Sequence, residues 1–197
     1  MSGDAAPCQV YYFRHGETAW SKSGQHTGST DIALTPEGEA KARKLAPRLV
    51  AISFARVFTS PRLRARQTCD LAGLGLKAEV DPELAEWDYG DYEGLRSVEI
   101  RARRPGWEIF RDGCPGGESP GEIAARADRA IARFRTLSGN IAVFSHGHFG
   151  RVFGVRWLGM SIRQARHFAL SPASLSILGS DPARDEVEMM LAWNSVG

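Results

Sequence analysis

The chain has 197 residues, 43% of them hydrophobic and 24% charged, with 25 basic against 23 acidic residues and a formal net charge of +2. That length and balance fit a single globular domain with a sizeable core. So small a net charge sets up no global field for nucleic acid or a membrane surface, and no run approaches the ~20 apolar residues that a membrane-spanning helix needs.

Cys8, Cys69 and Cys114 are odd in number and show no CxxC spacing. Such a set reads as reduced thiols of a cytoplasmic protein, not as a disulfide frame or a zinc site. The opening MSGDAAP lacks the basic patch and apolar run of a signal peptide.

In chain order, VYYF at 10–13 predicts a short buried strand that runs straight into Arg14, His15 and Gly16. A polar loop covers 21–34. Thr35 followed by Pro36 has the N-cap and first-position pattern of a helix, which Pro47 should bend or end. ARVFTS (55–60) predicts a second strand, 61–73 a helix stopped by Gly73, and KAEV (77–80) a third strand. Residues 81–96 read as a loop with tight turns, and 96–119 as a lid-like insertion rich in arginine. A helix is expected over about 120–137, with Ile123, Ala127, Ala130, Ile131 and Phe134 on one face. IAVFS (141–145) is the most apolar strand. A helix over about 149–158 and strands at 174–178 and 187–193 complete the pattern.

Strands alternating with helices argue for an α/β layer fold with a mainly parallel sheet. Ligands bind beyond the carboxyl ends of the strands in such sheets. Three strand ends carry polar chemistry: Arg14 and His15; Ser60 to Arg64; and Ser145, His146 and Gly147. Two histidines and two arginines delivered to one edge suit a tetrahedral dianion, because the guanidinium fork matches phosphate oxygens. A neutral imidazole can also attack phosphorus, and phosphoryl transfer needs mainly positioning and charge stabilisation. Gly16 and Gly147, lacking Cβ, are expected to let backbone approach the ligand. Arg62 and Arg66, two residues either side of Arg64, are expected to face away from it on a helix. No Walker A loop or HExxH is present, and this chemistry asks for no metal. An acid is still needed for the leaving oxygen. Composition cannot choose among Glu83, Glu86, Asp88, Asp91 and Glu93, although Trp87 and Tyr89 could desolvate Glu86.

FRHGETAW (13–20), TSPRLRARQT (59–68), LAEWDYGDYEG (84–94) and FSHGHF (144–149) together resemble the histidine phosphatase superfamily, also called phosphoglycerate mutase-like, over about residues 9–178. The resemblance implies a three-layer α/β/α sandwich, a phosphohistidine intermediate, and neither metal nor cofactor. It implies His15 as nucleophile, Arg14, Arg64 and His146 around the phosphate, and Glu86 as proton donor. It also places Ser21, Thr27, Gly28, Tyr89, Gly147 and His148 against the substrate.

Mutases of the superfamily usually carry asparagine at the positions of Ser21 and His148, and a longer insertion after the acid motif. The reading is therefore a phosphomonoesterase closest to the acid and sugar-phosphate phosphatases, acting on a small phosphorylated metabolite. Phosphoglycerate mutase is the alternative. A phospho-ligand-binding domain is a second alternative, against which the presence of both histidines, both arginines and the acid argues. The expected partner is a small-molecule phosphate ester, with no nucleic acid or membrane, and a homodimer is possible. Arg96, Arg101, Arg103, Arg104 and Arg111 in the insertion suggest an anionic or polyhydroxylated substrate.

Overall fold

A computed structural model describes residues 8–181 and 187–197; the signal-peptide reading, which rests on 1–7, lies outside the described residues. The strands are β1 (Gln9–Arg14), β2 (Phe54–Thr59), β3 (Ala78–Val80), β4 (Asn140–Ser145), β5 (Leu175–Asp181) and β6 (Val187–Ser195). They form one sheet in the order β3-β2-β4-β1-β5-β6. The first four are mutually parallel, while β5 runs antiparallel to β1 and β6 to β5.

The helices are α1 (Ala19–Ser23), α2 (Pro36–Arg43), α3 (Ala46–Leu49), α4 (Leu63–Leu71), α5 (Ser97–Arg103), α6 (Ile109–Asp112), α7 (Pro120–Arg135) and α8 (Gly147–Trp157). Alternation along the central strands sorts two cores. Val10, Tyr12, Ile141 and Val143 face one side, with Ile123, Ala127, Ile131 and Phe134 of α7 and Val152 and Phe153 of α8. Phe13, Ala142 and Phe144 face the other, with Leu45, Leu49 and Cys69. A strand buried on both faces needs a continuous apolar run, which is what VYYF and IAVF supply. The result is the three-layer α/β/α sandwich with a mainly parallel sheet.

The helix expected after Thr35 is split into α2 and α3, with Pro47 inside the first turn of α3. Segment 96–119 holds two short helices that a charge-rich reading passes over. Ile100, Trp107, Ile109 and Phe110 within it are buried in the larger core, so much of the segment is part of the body.

β4 lies between β2 and β1, and the ladders are carried one residue past the strand ends. His15 N–H donates to Ser145 O at 2.9 Å, and Ser60 N–H to Phe144 O at 2.9 Å. This fixes the three polar strand ends side by side. A single residue, His146, separates β4 from α8.

Candidate active site

His15 and His146 are 5% and 0% exposed, and their rings lie 5.3 Å apart, centroid to centroid. His15 Nδ1–H donates to Gly16 O at 2.7 Å. A neutral imidazole carries one N–H, so this bond leaves the lone pair on Nε2. Burial holds His15 well below the usual histidine range, and the charges of Arg64 and Arg14 push the same way. The ring is therefore neutral near pH 7, with a nucleophilic nitrogen.

His146 Nε2 lies 2.6 Å from Ser60 Oγ, and that oxygen accepts from Arg62 N–H at 3.3 Å. The buried Ser60 hydroxyl has no other acceptor for its proton among the described residues, so it donates to Nε2, which puts the ring proton on Nδ1. Burial, then Arg64 and His15, holds His146 well below the usual range as well.

Among the described residues, five buried side-chain polar atoms lack a partner, and four of them are Arg14 Nε, Arg62 Nε, Arg64 Nε and His146 Nδ1. The fifth is Ser174 Oγ. Buried polar groups are almost always hydrogen-bonded, so a cluster of orphaned donors marks a place where an acceptor belongs. Arg14 and Arg64 are anchored through other nitrogens of their guanidiniums. Arg14 Nη1 donates to Leu170 O. Arg64 donates to Thr27 O at 2.8 Å, Gly28 O at 3.2 Å and Thr30 O at 3.1 Å. Both forks are anchored and still present unpaired donors.

Glu86 is 8% exposed and caps the start of α8. Its Oε2 accepts from Gly147 N–H and His148 N–H, both at 3.0 Å, and its Oε1 from Phe149 N–H at 2.8 Å and Trp87 N–H at 2.9 Å. The first three donors are orphan amides of a helix N-terminus, where negative charge is favoured. Glu86 thus both lines the pocket and positions the strand-to-helix turn.

A pocket of about 130 Å³ is lined by Arg14, His15, Ser21, Thr27, Glu86, Tyr89, Gly147, His148, Arg151 and Leu170. An adjoining cleft shares Glu86 and includes Gly28 and Arg62. Gly28 and Arg64 meet through the Gly28 carbonyl, not through the pocket wall. The Ser21 hydroxyl is engaged with Thr18, accepting from its N–H at 2.9 Å and donating to its carbonyl at 3.1 Å. Tyr89 Oη lies 2.7 Å from His148 Nδ1. Burial raises the phenol well above its usual range, so it keeps its proton.

Three sequence expectations are revised. Arg62 does not sit on a helix face: it precedes α4 with φ −73° and ψ 137°, and its charge acts on His146. The missing Cβ of Gly16 makes room for protein, since a Cβ there would meet Gly38 O of α2 at 2.6 Å. At Gly147 it would crowd the Arg14 guanidinium, 3.2 Å from Nε. Four of the five insertion arginines are occupied locally. Arg96 pairs with Glu99, Arg104 and Arg111 with Asp112, and Arg101 donates to Trp107 O. None of the five lines the pocket. Arg151 and Leu170 were missed. Arg151 could have been found from its place three residues after His148, on the same face of α8.

The model of the histidine phosphatase superfamily (branch 1) matches residues 10–192. The chain belongs to this superfamily. Among its relatives, an acid phosphatase of Mycobacterium tuberculosis is 43% identical over 176 residues, covering 87% of this chain and 86% of the relative. A sedoheptulose 1,7-bisphosphatase of Saccharomyces cerevisiae is 41% identical over 183 residues, 77% of this chain and 68% of the relative. A solved structure of an open reading frame product from Mycobacterium tuberculosis superposes with a TM-score of 0.88 at 37% identity, covering 95% of this chain and 97% of the other. A probable phosphoglycerate mutase of Erwinia tasmaniensis is 30% identical over 178 residues, covering 85% of this chain and 83% of the relative.

Proposed function

We propose that the chain is a metal-independent phosphomonoesterase that works through a phosphohistidine at His15 on a small phosphorylated metabolite. The observation that carries this is the neutral His15 with its free Nε2, surrounded by the orphaned donors Arg14 Nε, Arg64 Nε and His146 Nδ1. Relatives named as an acid phosphatase and a sugar bisphosphatase support a phosphate ester, a sugar phosphate among them, as substrate.

The ester's phosphate takes the place that the orphaned donors define. His15 Nε2 attacks phosphorus, the N–P bond forms and the ester P–O bond breaks. The leaving oxygen takes a proton from Glu86, the carboxylic acid that lines the pocket, whose carboxyl gives up one of its four backbone amide bonds to carry it. Water then attacks the phosphohistidine, giving its proton to the Glu86 carboxylate, and phosphate leaves with His15 restored. The arginines and His146 meet the charge on the equatorial oxygens without reorganising, which is the main demand of phosphoryl transfer. The three cysteines, none in a disulfide, support a reducing, cytoplasmic setting. Among the described residues no helix is long and apolar enough to cross a membrane.

The test is hydrolysis of alkyl phosphates and para-nitrophenyl phosphate by protein dialysed against EDTA. Unchanged turnover is expected. Turnover lost in EDTA and restored by a divalent ion would overturn the metal-independent reading.

A further inference from the structure

We propose that Glu93 is a positioning residue for the phosphate pocket: its carboxylate braces the 27–30 loop and acts as the counter-charge of Arg64 through the peptide that joins Thr27 to Gly28. This rests on the phosphomonoesterase reading of the His15 pocket, in which Arg64 grips the transferred phosphate.

Glu93 does not line the pocket. Its carboxylate accepts from backbone amides alone. Oε1 accepts from Gly28 N–H at 3.0 Å and Thr30 N–H at 2.9 Å, and Oε2 from Gly28 N–H at 2.9 Å. No basic side chain lies within ion-pair distance of it among the described residues. The loop can close on the carboxylate because residue 28 is glycine. A Cβ there would meet Trp87 O at 2.5 Å and Glu93 Oε2 at 2.9 Å.

The carbonyls of the same loop hold Arg64, which is fully buried. Thr27 O, Gly28 O and Thr30 O all accept from its guanidinium, Thr27 O most closely at 2.8 Å. Thr27 C=O and Gly28 N–H are the two ends of one peptide group. An anion on the N–H polarises that peptide and makes its oxygen a better acceptor, since hydrogen bonds in series strengthen one another at low dielectric. Bonds to a charged partner are also the stronger ones. Negative charge thus reaches the buried guanidinium without touching it.

Arg126 shows the direct arrangement, with the Glu118 carboxylate on its Nε at 2.8 Å and on Nη2 at 2.7 Å. A carboxylate so placed on Arg64 would fill the fork and repel a phosphate dianion. Held one peptide away, it steadies the cation and leaves Arg64 Nε unpaired.

The test is a double-mutant cycle, read as kcat/KM for para-nitrophenyl phosphate and as the Kd of orthophosphate by calorimetry. Glu93→Gln keeps the shape and an acceptor oxygen and removes the charge. The two segments stay laced by His26 N–H to Leu95 O and Gly94 N–H to His26 O, both at 2.9 Å, so the variant should fold, with circular dichroism as the control. It should lose about 10-fold in both quantities, and Glu93→Ala roughly 100-fold, the scale of a displaced catalytic geometry. Glu93→Asp should recover part of the alanine loss. Arg64→Met removes the cation, and in that background Glu93→Gln should change either quantity by less than about twofold, because the two residues act as one unit. Losses that simply multiply would make Glu93 a loop support and overturn the proposal, as would a Glu93→Gln protein with unaltered kcat/KM and phosphate affinity. If Glu93→Gln does not fold, Glu93→Asp takes its place in the cycle. The two readings fail separately. An unaltered protein that binds orthophosphate but hydrolyses no ester ends the esterase reading, and the binding cycle still decides Glu93. An Arg64→Met protein that binds orthophosphate undiminished, or an unaltered protein that does not bind it, ends the role given to Glu93.

Discussion

Arginines in two regions of this molecule have opposite fates. Around α7, Arg126 pairs with Glu118 at 2.7 Å, Arg129 with Glu83 at 3.0 Å and Arg133 with Asp81; Arg156 of α8 pairs with Asp128 of α7 at 2.8 Å. Around the His15 pocket, Arg14, Arg62, Arg64 and Arg151 have no carboxylate partner among the described residues, and three of them keep a buried Nε without any acceptor. The same side chain is structural in one place and poised in the other. The difference is whether the protein supplies the anion. A buried unpaired cation costs stability, so a cluster of them supports the proposal that the missing charge arrives with the ligand.

That contrast can be broken most severely at the nucleophile. His15→Ala should lower turnover by a thousandfold or more, roughly the scale of losing a group that acts as a unit with its neighbours, while the protein still folds. Steady-state kinetics with circular dichroism on the same sample check both halves.

Glu86→Gln separates two duties of one side chain. As proton donor, Glu86 should matter about 10²–10⁴-fold on a sugar phosphate, whose alkoxide leaves poorly, and much less on para-nitrophenyl phosphate. As the cap of α8, it should also lower the melting temperature, by about 1 kcal/mol of stability. Equal losses of kcat/KM on both substrates would leave only the capping role and turn attention to Glu83 or Asp88.

The two arginine environments are sharpened by a paired experiment. Arg14→Gln should cost roughly 10²–10³-fold in kcat, as removal of one preorganised donor does, with little loss of stability. Arg126→Gln should do the reverse. It strands the Glu118 carboxylate and should cost about 3–5 kcal/mol, read by denaturant unfolding.

The smallest effect is electrostatic and global. His15, His146 and His148 are all held well below the ordinary histidine range, chiefly by burial. Below pH ~6.5 the unfolded chain binds protons that the folded chain refuses, so stability should fall as pH drops through that value. Orthophosphate should oppose the loss. At a hundred times its Kd it contributes about 2.7 kcal/mol, a rise of about 5–10 °C in a chain of this size. That rise should shrink in Arg14→Gln.

The sequence made the parallel core and the three reactive strand ends legible because both rest on local patterns. Apolar runs of four or five residues mark strands covered on both faces, and RHG and SHG stand where those runs stop. The α7 face was readable from the 3.6-residue spacing of Ile123, Ala127, Ile131 and Phe134, all of them buried. What stayed hidden depends on tertiary partners. α5 and α6 are too short and too charged to show a period, and Trp107 and Phe110 hold them by packing that no local pattern announces. Arg62 was misjudged because a helix was assumed to start at Pro61, whereas α4 begins at Leu63. The capping of α8 by Glu86 joins residues about sixty apart, so no local spacing could reveal it.

The most direct test of the central claim is rapid acid-free quenching of the protein during turnover of a phosphate-labelled ester, followed by peptide mapping. The expected result is a base-stable, acid-labile phosphate on His15, formed within one turnover and absent from the His15→Ala protein. An unlabelled His15 during active turnover, or a His15→Ala protein that keeps more than a few per cent of its activity, would contradict it.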